Sequence, residues 1–201
     1  MGVYDAVLFD FDGVLSDSEP IHWEAWRDTL VPAGIVLDWQ AYQNHCIGIA
    51  DLKLLSYFAS LAPRKIDSES LRSLYDVKRA RFREILAQRD PIPKEVVSLI
   101  ASLATRRLGV VTSSSRTEVT LSLERSGIQP FLRVLVCGED VTNHKPYPEP
   151  YLLAAKKIGA KSPLVVEDSE SGVLSARAAG FEVLRINGPW ELKEALGKAL
   201  T

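Results

Sequence analysis

Cysteine is scarce in this 201-residue chain: Cys46 and Cys137 stand far apart and in no metal-ligand spacing. That scarcity excludes a disulfide framework and suits a reducing compartment. Long apolar runs are also missing, since none approaches the ~18 residues that a membrane span needs. The first residues, Met1-Gly2-Val3-Tyr4-Asp5-Ala6, lack the basic stretch of a secretory leader, so a cytoplasmic location is expected. There is no surplus of positive charge either. With 24 Lys and Arg against 26 Asp and Glu, the net charge is -2, which gives no general attraction to nucleic acid or anionic membrane. No internal repeat or low-complexity tract occurs. What remains is 46% apolar and 25% charged, an ordinary globular composition with enough mass to bury a core. A small-molecule partner is expected.

Short apolar runs alternate with amphipathic stretches, the pattern of βα units around a parallel sheet. Five runs read as buried strands: residues 3–9, 108–112, 134–137, 164–166 and 183–186. Each is short and rich in β-branched residues or Leu. Between them, Val96, Leu99, Ile100 and Leu103 follow helical spacing, and the segments ending at Gly127 and Gly180 close on a residue suited to a C-cap.

The rhythm breaks between the first two strands. Roughly 90 residues separate them, where a βαβ crossover needs about 30. The intervening stretch carries helical faces such as Trp23, Trp26 and Leu30, or Leu71, Leu74, Val77, Phe82, Ile85 and Leu86. The expected organisation is therefore a core of residues 1–15 and 89–201 with an all-helical cap of residues 16–88 inserted into it. Asp17-Ser18-Glu19-Pro20 and Asp90-Pro91-Ile92-Pro93 serve as the hinges.

Polar residues gather where the expected strands end, which is where open α/β sheets bind ligands. Asp10 and Asp12 follow the first strand, in Phe9-Asp10-Phe11-Asp12-Gly13-Val14. Taken alone they suit a turn. The second strand runs into Thr112-Ser113-Ser114-Ser115, whose hydroxyls can bind an oxyanion or cap a helix. Lys145 lies in a Pro-rich loop, and Glu167-Asp168-Ser169 closes the fourth strand. Together these supply carboxylates, hydroxyls and one ammonium on one sheet edge. That set fits Mg²⁺, which takes oxygen ligands and commonly uses one or two carboxylates beside a substrate phosphate.

Four segments resemble the motifs of the haloacid dehalogenase superfamily, in its β-phosphoglucomutase-like branch. They are Asp10-Phe11-Asp12-Gly13-Val14-Leu15-Ser16-Asp17-Ser18-Glu19, Val110-Val111-Thr112-Ser113-Ser114-Ser115, His144-Lys145-Pro146, and Val166-Glu167-Asp168-Ser169-Glu170-Ser171-Gly172. The resemblance spans nearly the whole chain and implies a Rossmann-like doubly wound core with a helical cap. It further implies that Asp10 is a nucleophile forming an aspartyl-phosphate and that Asp12 is the general acid and base. Mg²⁺ is then held by Asp10, the Asp12 backbone carbonyl and Asp168, with Glu167 in support. Lys145 offsets the like charges of carboxylate and phosphate. A hydroxyl of Thr112 or Ser113, with Ser114 nearby, binds the phosphoryl group.

The cap reads as a lid that excludes water and sets specificity. By the same resemblance His22 and Lys78 face the substrate. Against this, His22 next to Trp23 suits plain packing, and Lys78-Arg79-Ala80-Arg81 suits a solvated helix face. The aromatics Trp23, Trp26, Trp39, Tyr42, Tyr57 and Phe58 suit either a pocket or a cap core. One segment departs from the mutases of this branch. In them a cap Gly is followed three residues later by an Arg that holds a second phosphate, whereas Gly48-Ile49-Ala50-Asp51 ends in an acid that would repel one. The expectation is a monomeric, Mg²⁺-dependent phosphatase of a small phosphomonoester such as a sugar phosphate. A phosphosugar mutase is the first alternative, and a phospho-accepting signalling domain the second.

Overall fold

The computed structural model describes residues 4–47, 49 and 51–200. Val3, where the first strand is expected to begin, and Gly48 lie outside the described residues. By internal packing the chain divides into two compact units, Met1–Asp17 with Asp90–Thr201, and Ser18–Arg89. In chain order, β1 (Ala6–Phe9) opens the first unit. The second unit holds α1 (Glu19–Leu30), α2 (Trp39–His45), α3 (Leu55–Leu61) and α4 (Leu74–Gln88). The first unit then resumes with α5 (Lys94–Ser102), β2 (Leu108–Val111), α6 (Arg116–Ser126), β3 (Leu132–Val136) and α7 (Glu149–Ile158). It ends with β4 (Pro163–Glu167), α8 (Glu170–Ala178), β5 (Glu182–Arg185) and α9 (Leu192–Ala199).

Among the described residues, five strands form one parallel sheet in the order β3-β2-β1-β4-β5. This is the Rossmann-like doubly wound class expected from the βα rhythm, and four of the five strands differ from expectation by no more than two residues at either end. The largest difference is β1, which starts at Ala6, after Tyr4 and Asp5 that the expected strand included; β3 starts at Leu132, ahead of the expected 134.

Alternation along the strands decides which side chains face which layer. Val7 and Phe9 pack with Val96, Ile100, Val119, Leu123, Leu192 and Leu196 on one face. Ala6 and Leu8 pack on the other with Tyr151, Ala154, Ile158 and Ala176. All four residues of β1 are buried, as suits a strand covered by helices on both sides. Because β1 sits between β2 and β4, the chain winds outward in one direction and then in the other. The crevice beyond β1 is thus a topological switch point.

The helical unit has its own core, in which Trp26, Leu30, Ile35, Leu37, Tyr42 and Phe58 are buried and Trp23, Trp39 and Tyr57 pack against them. Of the two roles open to the aromatic set, core packing is thereby the one these contacts support. Charge pairs such as Arg81 to Asp28 at 2.9 Å decorate its surface.

Candidate active site

The ladder between β1 and β4 sets the first distances. Phe9 is in register with Val166, and the Asp10 N–H donates to the Val166 carbonyl at 2.9 Å, so the residues that follow the two strands emerge side by side. After Asp10 the chain turns sharply: the Ser16 N–H donates to the Phe11 carbonyl at 2.9 Å and the Gly13 N–H to the Ser16 carbonyl at 2.8 Å. Gly13 takes a left-handed φ of 77°, which glycine adopts without steric cost. It is required on a second count, since a Cβ there would lie 2.1 Å from Asp168 Oδ2. The Asp-x-Asp-Gly pattern thus makes room for an acid that arrives much later in the sequence.

Lys145 joins these strand ends, following the turn of its loop, where its bond to Pro146 is cis. Its Nζ donates to Asp10 Oδ1 at 2.8 Å, to the Val111 carbonyl at 3.1 Å and to Glu167 Oε1 at 2.6 Å. All three ammonium protons are therefore used, and the side chain is 6% exposed. Glu167 is fully buried. Its Oε2 accepts the N–H groups of Asp168 and Ser169, both at 3.2 Å, and the Ser169 hydroxyl at 3.0 Å. Ser169 also caps α8, accepting the Gly172 N–H at 3.1 Å, so capping and site construction share one residue.

Burial pushes the Asp10 carboxyl well above the usual range against the pull of Lys145, and the charges of Glu167, Asp168 and Asp12 push the same way. Burial and the charge of Glu167 likewise raise Asp168, to about 6. Lys145 is held above its ordinary value, because Asp10 and Glu167 outweigh the cost of burying the ammonium. Among the described residues, several acids thus face the Lys145 ammonium, and the cluster favours a further positive charge.

The donor set fits a divalent metal. Asp10, Glu167 and Asp168 each offer an oxygen, all within 4.8 Å of one another. Asp168 Oδ1 is buried with no hydrogen-bond partner, a costly state for a carboxylate oxygen unless something binds it. Oxygen-only ligation suits a hard cation.

Beyond β2, Thr112 is buried and Ser113 exposed. The Thr112 Oγ1 accepts the Ser114 N–H at 3.0 Å, and the Ser114 hydroxyl donates to Asp12 Oδ2 at 2.5 Å. Ser114, expected beside the phosphoryl group, is engaged with Asp12 here. The Ser113 backbone lies so close to Gly138 that a Cβ there would meet its carbonyl at 2.7 Å.

His22 and Lys78 come together inside the helical unit. Lys78 is 2% exposed, unlike the solvated face that its basic neighbours suggest. Its Nζ donates to Asp51 Oδ2 at 2.7 Å and lies 2.8 Å from His22 Nδ1. Trp26 Nε1 donates to Asp51 Oδ1 at 2.7 Å, and the His22 ring stacks on Phe82 at 4.2 Å. Burial pushes the Asp51 carboxyl up, yet Lys78, His22 and the bonds from Lys78 and Trp26 hold it below its ordinary value. The acid expected to repel a second phosphate is therefore already paired with a lysine.

Two residues of the core cluster escaped the reading of the sequence. Tyr151 donates its hydroxyl to Glu167 Oε1 at 2.6 Å, although its helical spacing with Ala154, Ala155 and Ile158 reads as ordinary packing. A Cβ on Gly172 would fall 1.7 Å from Glu167 Oε1; the glycine closes the fourth motif segment, but its spacing along the chain does not show that it makes room for that carboxylate.

Comparison with known proteins agrees with this geometry. Residues 7–186 match the family described as haloacid dehalogenase-like hydrolase, and the chain belongs to that family. It is 30% identical over 181 residues to a phosphorylated carbohydrates phosphatase of Thermotoga maritima, covering 89% of this chain and 82% of that one. It is 29% identical over 187 residues to the fructose-1-phosphate phosphatase of Escherichia coli, covering 91% and 96%. Among solved structures, a β-phosphoglucomutase from Clostridium difficile superposes with a TM-score of 0.75 at 20% identity, covering 98% of this chain and 96% of that one. At that identity the likeness is one of fold. The protein is thus an enzyme of the haloacid dehalogenase-like hydrolase family.

Proposed function

We propose that this enzyme is a Mg²⁺-dependent phosphatase that releases inorganic phosphate from a small phosphomonoester, in particular a sugar phosphate. The observation that carries the reading is the convergence of Asp10, Lys145, Glu167 and Asp168, with hydrogen bonds from Lys145 to Asp10 and Glu167 and an unsatisfied oxygen on Asp168. The names of the two curated relatives support the substrate class.

An Asp10 oxygen bonds to phosphorus as the ester P–O bond breaks, and Asp12 gives a proton to the leaving alkoxide. Water then attacks the aspartyl-phosphate, Asp12 takes a proton from it, and the bond between phosphorus and Asp10 breaks. Ser114 orients Asp12 through its 2.5 Å hydrogen bond. Lys145 holds Asp10 and lowers the repulsion between carboxylate and phosphate. Thr112, buried at the end of β2, donates its hydroxyl to a phosphoryl oxygen, with Ser113 as the exposed alternative. Mg²⁺ held by Asp10, Asp168 and the Asp12 carbonyl, with Glu167 in support, would neutralise phosphate charge.

We assign substrate choice to the helical unit as a cap, with His22 and Lys78 as its polar contributors. Asp51 neutralises Lys78 at 2.7 Å, so this cluster favours a hydroxyl-bearing group over a second phosphate. That balance supports a phosphatase over a mutase. The protein is proposed to act as a cytoplasmic monomer. Among the described residues no helix is long and apolar enough to cross a membrane.

The test is phosphate release from fructose 1-phosphate, β-glucose 1-phosphate and glucose 6-phosphate with Mg²⁺, with and without glucose 1,6-bisphosphate, while isomerisation is followed. Release that needs no activator supports the reading. Activator-dependent interconversion with little release would make the enzyme a mutase, and a phosphoryl-enzyme lasting minutes would make it a signalling domain.

A further inference from the structure

We infer that Tyr151 is a positioning residue that fixes Glu167 and, through it, the orientation of Lys145 on Asp10. The inference rests on Asp10 being the reactive carboxylate. Tyr151 projects from α7 and is fully buried. Its hydroxyl and the Lys145 Nζ both donate to Glu167 Oε1 at 2.6 Å, and the ring centroid lies 5.1 Å from that Nζ. The other Glu167 oxygen takes three donors, the N–H groups of Asp168 and Ser169 and the Ser169 hydroxyl. A carboxylate offers about four lone-pair positions, so five donors leave Glu167 fully engaged. It then acts through Lys145 and the Asp168 backbone.

The hydroxyl decides where Glu167 Oε1 sits. Without it, Oε1 would have one strong donor, Lys145, and the carboxylate could pivot toward that ammonium. The contact of Lys145 with Asp10 would loosen, because the same Nζ serves both acids. The Asp168 N–H, held by the opposite Glu167 oxygen, would shift with the pivot. The aromatic ring alone would suffice if Tyr151 merely filled space. A buried hydroxyl costs free energy unless it is bonded, and this one has its bond at the acid that joins the two halves of the cluster.

The experiment compares Tyr151→Phe and Tyr151→Leu with the unmodified enzyme. Mg²⁺ binding is read by titration calorimetry without substrate, kcat and KM with p-nitrophenyl phosphate, and folding by thermal melting. For Tyr151→Phe the Mg²⁺ dissociation constant should rise and kcat should fall, each roughly tenfold, as loss of an outer-shell hydrogen bond does. KM should stay within about twofold and the melt should move little. Tyr151→Leu should match it in Mg²⁺ affinity and kcat while melting lower. A Tyr151→Phe enzyme with unchanged kcat and Mg²⁺ affinity, only the Leu variant being impaired, would overturn the inference and reduce Tyr151 to packing. If the unmodified enzyme turns over no phosphomonoester, the functional reading fails, and the calorimetric arm alone decides the role of Tyr151.

Discussion

Replacing Gly172 by Ala sets two effects of opposite sign against each other. Gly172 lies in α8 and Gly197 in α9, and neither adopts a left-handed backbone. By helix propensity alone each Gly→Ala change should stabilise the fold by up to about 1 kcal/mol. At Gly197 nothing lies within 4 Å of the added carbon, so that gain should be realised. At Gly172 the new Cβ would fall 1.7 Å from Glu167 Oε1 and 1.9 Å from Cδ, and the carboxylate must move. Moving it breaks its bonds to Lys145, Tyr151 and Ser169, and disrupting such a buried ion pair costs about 3–5 kcal/mol. The net loss is about 2–4 kcal/mol, or roughly 5–15 °C in melting temperature for a chain of this size. Thermal and urea melts of both variants in metal-free buffer read the difference directly. Gly197→Ala should melt a few degrees higher and Gly172→Ala well below the parent, with phosphatase activity lost in the latter. Equal stabilisation of both, with activity retained, would refute the placement of Glu167.

Asp12→Ala should slow leaving-group departure by roughly 10²–10⁴-fold yet keep Mg²⁺ binding, because the metal is assigned to the backbone carbonyl at that position; unchanged turnover would remove Asp12 from its role. Asp168, raised to about 6, carries a proton below that pH which a metal must displace, so the calorimetric Mg²⁺ affinity should fall as pH drops through 6. In the metal-free protein the folded state binds that proton more tightly than the unfolded chain, so this group's stabilising contribution is lost as pH rises from its ordinary 3.8 to about 6, which melts across that range would show. Asp51→Ala should destabilise the helical unit by about 3 kcal/mol, since it leaves the buried Lys78 without its carboxylate; a melt within a degree of the parent would contradict that.

Much of the core was legible because its signals are local. Apolar runs of fixed length announce strands, and the residues closing them face the ligand edge of any parallel sheet. Asp10, Asp12, Lys145, Glu167 and Asp168 were therefore readable as candidates, with the resemblance supplying their roles. Burial of Lys78 was not readable, because it depends on Asp51 and Trp26 arriving from other segments of the helical unit, while its sequence neighbours Arg79 and Arg81 suggest water. Tyr151 was hidden for the converse reason. An aromatic residue at helical spacing looks like packing whether or not its hydroxyl finds a partner.

By itself, then, the amino-acid sequence determined the alternation of strands and helices, the helical insertion and the set of candidate site residues, because periodicity and motif spacing are properties of neighbours along the chain. Tertiary structure alone decided which groups meet. Lys145 reaches Asp10 across 135 residues, the order β2-β1-β4 brings Asp10 beside Glu167, and the missing side chains of Gly13 and Gly172 leave the space that Asp168 and Glu167 fill. Hydrogen-bond energies act over about 3 Å in space, and separation along the sequence does not set that distance.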